Sequence, residues 1–131
     1  MEKGGAVEYD PKSPSDPAEW LALDEQIRIK LVEDYHNSAN ITLPNVTLHA
    51  SFHVIVENRI AEGDAATVGA ITRLMGAGVL RHDAVHAVAS VLAEQINLLM
   101  KSKNPDAGSF EAKFATGVAR LKPKDWIKPG R

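Results

Sequence analysis

The chain has 131 residues, 44% of them hydrophobic and 24% charged, with a formal net charge of −2. That composition supports one compact domain with a real core, and it excludes a wholly disordered chain or a basic field able to draw the protein onto nucleic acid. Cysteine is absent, which removes disulfide scaffolds, thiolate zinc sites, iron–sulfur clusters and cysteine nucleophiles together. The opening MEKGGAVEYDPKSPSDP has neither the basic nor the apolar segment of a secretory signal, and no apolar stretch reaches bilayer length. The expectation is a soluble cytoplasmic protein with no nucleic-acid or membrane partner.

Pro11, Pro14 and Pro17, set among Ser and Asp, mark residues 1–16 as an extended, acidic leader outside the core. Asp16 is an N-cap with Pro17 at the first helical position. Trp20, Leu23, Ile27 and Leu31 then recur at three- and four-residue steps, predicting one amphipathic helix from Pro17 to about Asn37. After the turn-rich HNSANITLPN, Thr42 or Asn45 caps a second, mostly apolar helix over VTLHASFHVIVENRIA that stops at Gly63. Its Val54, Ile55 and Val56 are β-branched, but the surrounding helical run is too long for a strand.

Asp64 caps a third predicted helix, AATVGAITRLM, closed by Gly76, Ala77 and Gly78. The fourth runs from Arg81 to Lys101 with no Lys or Arg between His82 and Met100, so most of it is surrounded by protein and it takes the central place. FEAKFATGVARL makes a short fifth, and residues 122–131 form an irregular basic tail. The fold class is therefore all-α: an up-and-down bundle of four to five helices over residues 17–121, with an extended N-terminal leader and an irregular C-terminal tail. Trp20 is read as a core anchor and Trp126 as a clamp for the tail.

Of the five histidines, His49 and His53 form one His-x-x-x-His pair and His82 and His86 another, with Glu57 four residues past His53. Helical spacing of four places each pair on one side of its helix, the side that also carries apolar residues. In an up-and-down chain the second and fourth helices run parallel, and both pairs sit in the first turns, so they are expected at one level. Ala89 and Ala93 leave room between the helices. The positive ends of the helix dipoles disfavour imidazolium and keep the lone pairs available.

His49, His53, Glu57, His82 and His86 are thus the candidate metal ligands, and imidazole donors without thiolates favour a divalent transition ion, Zn or Fe, over Mg or Ca. Glu57, about 6 Å along the axis from His53, is open to three roles: ligand, outer partner of a ligand, or catalytic general base to a metal-bound water in a hydrolase acting on an unspecified small molecule. His36 and Glu33 have the Glu-x-x-His spacing of di-iron carboxylate bundles, but Ile27 and Leu31 point the apolar stripe of their helix roughly the other way. The competing reading is a non-catalytic interaction module, a homodimer through the fourth helix with the histidines as polar interface residues. No nucleophile elbow, dinucleotide fingerprint, P-loop or His-Glu-x-x-His occurs.

The run HASFHVIVENRI, followed after a short helix by RHDAVHAVASVLAEQ, resembles an uncharacterised bacterial family of small helical domains. Members repeat His-x-x-x-His-x-x-x-Glu-[Asn/Gln] and a later His-rich helix; His49, His53, Glu57, Asn58, His82 and His86 fill those places within residues 44–100. The resemblance implies an all-α fold and no established activity. The chain is also distantly similar to hemerythrin-like and ferritin-like bundles in drawing His and Glu from facing helices, but those use more carboxylates than Glu57 and Glu33 supply.

Overall fold

The computed structural model describes residues 9–38, 46–102 and 107–127. Among them the secondary structure is helical throughout: α1 Pro17–Ala22, α2 Glu25–Ser38, α3 Val46–Ala61, α4 Ala65–Gly76, α5 Arg81–Lys101 and α6 Ala107–Ala119, then a single 3-10 turn at Pro123–Asp125. The all-α bundle expected from the sequence is the observed one. No helix among the described residues is long and apolar enough to cross a membrane.

Where the periodicity predicts one helix from Pro17 to Asn37, there are two. The Asp16 carboxylate caps α1 by accepting from Glu19 N, but the helix ends at Ala22. Asp24 then accepts from Gln26 N, starting α2 with a fresh cap. Arg28 holds the corner, its Nη2 donating to Leu21 O at 2.9 Å and its Nε to Leu23 O at 3.1 Å, so carbonyls left over at the end of α1 find donors. Asp64 caps α4 through Thr67 N and Thr67 Oγ1. Gly63 and Gly78, at φ +76° and +103°, take the left-handed conformation that ends α3 and α4.

α3 serves two cores. Its Ala50 and Val54 pack with Tyr9, Trp20 and Val32, while Val56 joins the main core built from α4, α5 and α6. The second core explains why a helix that is apolar over much of its circumference remains stable. α5 is the central helix, packed against α3, α4 and α6, with Ala84, Val85, Ala87 and Val88 fully buried. Trp20 is buried in the smaller core and Trp126 packs against the main one.

The leader departs from expectation. The described part of it, residues 9–16, is non-helical, with a turn at residues 10–13 closed by Ser13 N donating to Asp10 O, yet Tyr9 and Pro11 are buried. Residues 1–8 and 128–131, the rest of the acidic head and basic tail, lie outside the described residues.

α6 approaches α5 closely at Gly117, where a Cβ would meet Val91 Cγ1 at 2.6 Å. Val91 is β-branched and has little rotamer freedom in a helix. Gly117→Ala is therefore expected to destabilise the fold by about 1–2 kcal/mol, overpacking outweighing the gain of up to about 1 kcal/mol in helix propensity. A fall in Tm that Val91→Ala reverses checks this; a raised Tm in the single variant refutes it.

Candidate metal centre

The two histidine pairs meet between α3 and α5. His49 Nε2 lies 3.1 Å from His86 Nε2, and His86 Nε2 lies 2.9 Å from His53 Nε2. His49, His53 and His86 each offer a nitrogen within 4.8 Å of the other two. The edge of a tetrahedron built on Zn–N bonds of about 2.05 Å is about 3.4 Å, so the triad needs only small adjustment to close on an ion.

His82 belongs to the cluster but not to the triad. Its ring centroid is 4.3 Å from that of His86, 5.3 Å from that of His53 and 5.6 Å from that of Tyr35. Its ring packs against those of His86, His53 and Tyr35 beside the three converging nitrogens, which do not include one of its own.

The helices cross in the opposite sense to that expected. His49 meets His86, His53 meets both His82 and His86, and Glu57 meets Arg81, so position rises along α3 as it falls along α5. A His-x-x-x-His motif reads the same in both directions; its spacing fixes a common level and says nothing of polarity.

Glu57 is not among the converging ligands. Its carboxylate takes Arg81 in a two-pronged pair, Nη1 to Oε2 and Nη2 to Oε1, both at 2.9 Å, and the two residues are 3% and 5% exposed. Burial works against the Arg81 charge, but the hydrogen bonds and charge of Glu57 outweigh it and raise the guanidinium pKa. Glu57 reaches the histidines only through Tyr9, which lies between its carboxylate and His53.

The Tyr9 hydroxyl is 2.6 Å from Glu57 Oε2 and 3.0 Å from His53 Nδ1. Burial, reinforced by the Glu57 charge and hydrogen bond, pushes the phenol pKa well above its ordinary value and keeps its proton in place. That proton goes to the carboxylate, which only accepts, so the hydroxyl oxygen accepts from His53 Nδ1–H. His53 is held as the tautomer whose Nε2 lone pair faces His86.

This assignment sharpens the chemistry of the triad. His86 Nε2 stands within 3.1 Å of two other ring nitrogens, one of them a fixed lone pair. A single proton on His86 must be shared between both neighbours, and without it lone pairs face each other. A cation accepts all three lone pairs at once.

Around this centre Asn58 Oδ1 accepts from Trp20 Nε1 at 2.9 Å and Arg28 Nη1 at 2.8 Å, tying α1 and α2 to α3. Glu33 is half-buried on α2 and takes no part in the triad, and the side chain of His36 lies outside the described residues. Tyr9 and Arg81 are the site residues that sequence reasoning missed. Arg81 left one signal: it opens a helix that has no other cation until Lys101.

No protein-family model, curated protein or solved structure matches the chain.

Removing one partner of a buried, hydrogen-bonded ion pair leaves the other charge stranded, at a cost of about 3–5 kcal/mol. Glu57→Gln and Arg81→Met should each destabilise the fold by about that much, and the double variant by clearly less than their sum. Urea unfolding of the three variants tests this, and additive losses would show that the pair does not act as a unit.

Proposed function

We propose that this protein binds a divalent transition ion through the Nε2 atoms of His49, His53 and His86, with Zn or Fe the best match to imidazole donors. The observation that carries the reading is the convergence of three ring nitrogens from two helices, with the other ring nitrogen of His53 3.0 Å from a Tyr9 hydroxyl that donates to Glu57. Imidazole ligands are normally fixed through the other ring nitrogen by a carboxylate or similar acceptor, and the Glu57–Tyr9–His53 chain has that form. Three neutral ligands leave a position on the ion for water or a substrate oxygen, and the ion supplies Lewis acidity there.

A hydrolase reading that uses Glu57 as general base draws no support from the geometry. Its carboxylate oxygens are engaged by Arg81 and Tyr9, so the proposal concerns the metal site and leaves the substrate unspecified. The alternative, histidines at a homodimer interface, fits poorly because the cluster lies between two helices of the same chain. Any self-association through α5 falls to its C-terminal end, where Leu98 and Met100 are exposed.

Protein purified without tag-derived metal is expected to bind one zinc ion per chain. A four-ligand structural zinc is worth about 10–16 kcal/mol, or about 3 kcal/mol per ligand, so losing one ligand weakens binding about 100-fold. His53→Ala and His86→Ala should each show that loss in a zinc titration, whereas His82→Ala should stay within a few-fold of the parent. Absence of transition metal by elemental analysis, together with no zinc binding by calorimetry, would overturn the reading.

A further inference from the structure

Residues 9–16 form no helix, yet they are fastened to the metal centre at two points. Tyr9 reaches His53 and Glu57 through its hydroxyl, with its ring against Trp20 and Tyr35. Two residues on, the Pro11 carbonyl accepts from Arg81 Nη1 at 3.0 Å. The chain then turns outward, with Ser13 N donating to Asp10 O and Lys12 N to Asp10 Oδ1, and Lys12, Ser13 and Pro14 are exposed. Both anchors stand on α3 and α5, the helices that carry the histidines.

We propose that residues 9–13 are a strap whose closure and the binding of metal at His49, His53 and His86 reinforce each other, with Tyr9 the positioning residue that couples them. The inference rests on the metal reading. A neutral imidazole has two tautomers, and only the one protonated at Nδ1 offers Nε2 to an ion. With the strap closed, the Tyr9 proton is committed to Glu57 and its oxygen accepts from His53 Nδ1–H, which selects the metal-binding tautomer. With the strap open, His53 loses that acceptor. Metal on Nε2 in turn draws electron density from the ring and makes Nδ1–H a better donor to Tyr9. The coupling is reciprocal: whatever factor strap closure adds to metal affinity, metal adds to strap closure.

Lys12 supplies the measurement. Its bond to Ser13 is exposed but sits in the Asp10–Ser13 turn just after the buried Tyr9 and Pro11. Trypsin can draw this stretch into its cleft in extended form only when the strap opens, and Lys101–Ser102 at the far end of α5 serves as reference. Zinc at saturation should slow cleavage after Lys12 in the full chain by about 10–100-fold, the range set by outer partners of metal ligands, and leave cleavage after Lys101 little changed. Tyr9→Phe keeps the ring and removes only the hydroxyl. It should weaken zinc binding by the same factor, abolish the zinc-dependent protection of Lys12, and let the His53 ring ¹⁵N signals of the metal-free protein shift from the Nδ1–H pattern toward a mixture.

Tight zinc binding by calorimetry with unchanged cleavage after Lys12, or equal slowing at Lys12 and Lys101, overturns the strap and leaves the metal site standing. No zinc binding overturns both. The wild-type comparison decides the matter even if Tyr9→Phe does not fold.

Discussion

Glu57 and Arg81 place opposite charges where neither meets water, and such a pair persists only if nearly every donor and acceptor around it is used. The requirement organises the molecule. Arg81 spends one arm on Glu57 and shares the other between Glu57 and the carbonyl of Pro11, and Glu57 takes its remaining hydrogen bond from Tyr9. One ion pair thereby fixes how α3 sits against α5, holds residues 9–11 to both helices, and sets the protonation of His53. Moving any of the three segments exposes or strands a charge. A hydrophobic pair of similar volume would give comparable or greater stability, but it would fix none of these relations.

The histidines depend on that frame. Four imidazoles within one cluster, ring centroids 4.3–5.3 Å apart where they touch, form an unusual core, since aliphatic side chains would fill the same space without polar atoms to satisfy. His53 is fully buried and lies at the junction of the two cores of α3. Its orientation comes from outside the cluster, through Tyr9. With one nitrogen fixed in direction, the Nε2 atoms of His49 and His86 converge on it, and the His82 ring packs beside that of His86.

The sequence carried the helices and the level of the site, since caps at Asp16 and Asp64, positive-φ glycines at Gly63 and Gly78, and i, i+4 histidines are local signals whose physics lies within a few residues. It did not carry the break after Ala22, because Trp20, Leu23, Ile27 and Leu31 keep a helical rhythm across it while the corner is held by Arg28 reaching back to Leu21 and Leu23. Nor did it carry the sense in which α3 and α5 cross. That sense is encoded by the offset of two charges, Glu57 after His53 and Arg81 before His82, a pattern legible only once the two are known to pair. Tyr9 is hidden by its surroundings: the prolines and polar residues after it signal a non-helical segment, and nothing local marks that such a segment turns back onto the core.

The order in which these contacts form follows from what each segment needs in place before it can dock. α3, α4 and α5 are joined by short connections, and the His49–His86 and His53–His86 contacts span 37 and 33 residues. Tyr9 to His53 spans 44 and Pro11 to Arg81 spans 70. Closing the longer loops costs only slightly more entropy; what sets the strap last is that its anchors, His53, Glu57 and Arg81, must already be brought together by α3 and α5 before it can dock. An element that docks last through two points, without helical hydrogen bonds of its own, is also the one that opens first. It is therefore the part of this fold whose opening leaves the bundle itself folded, and the one that the proposed metal coupling would act on.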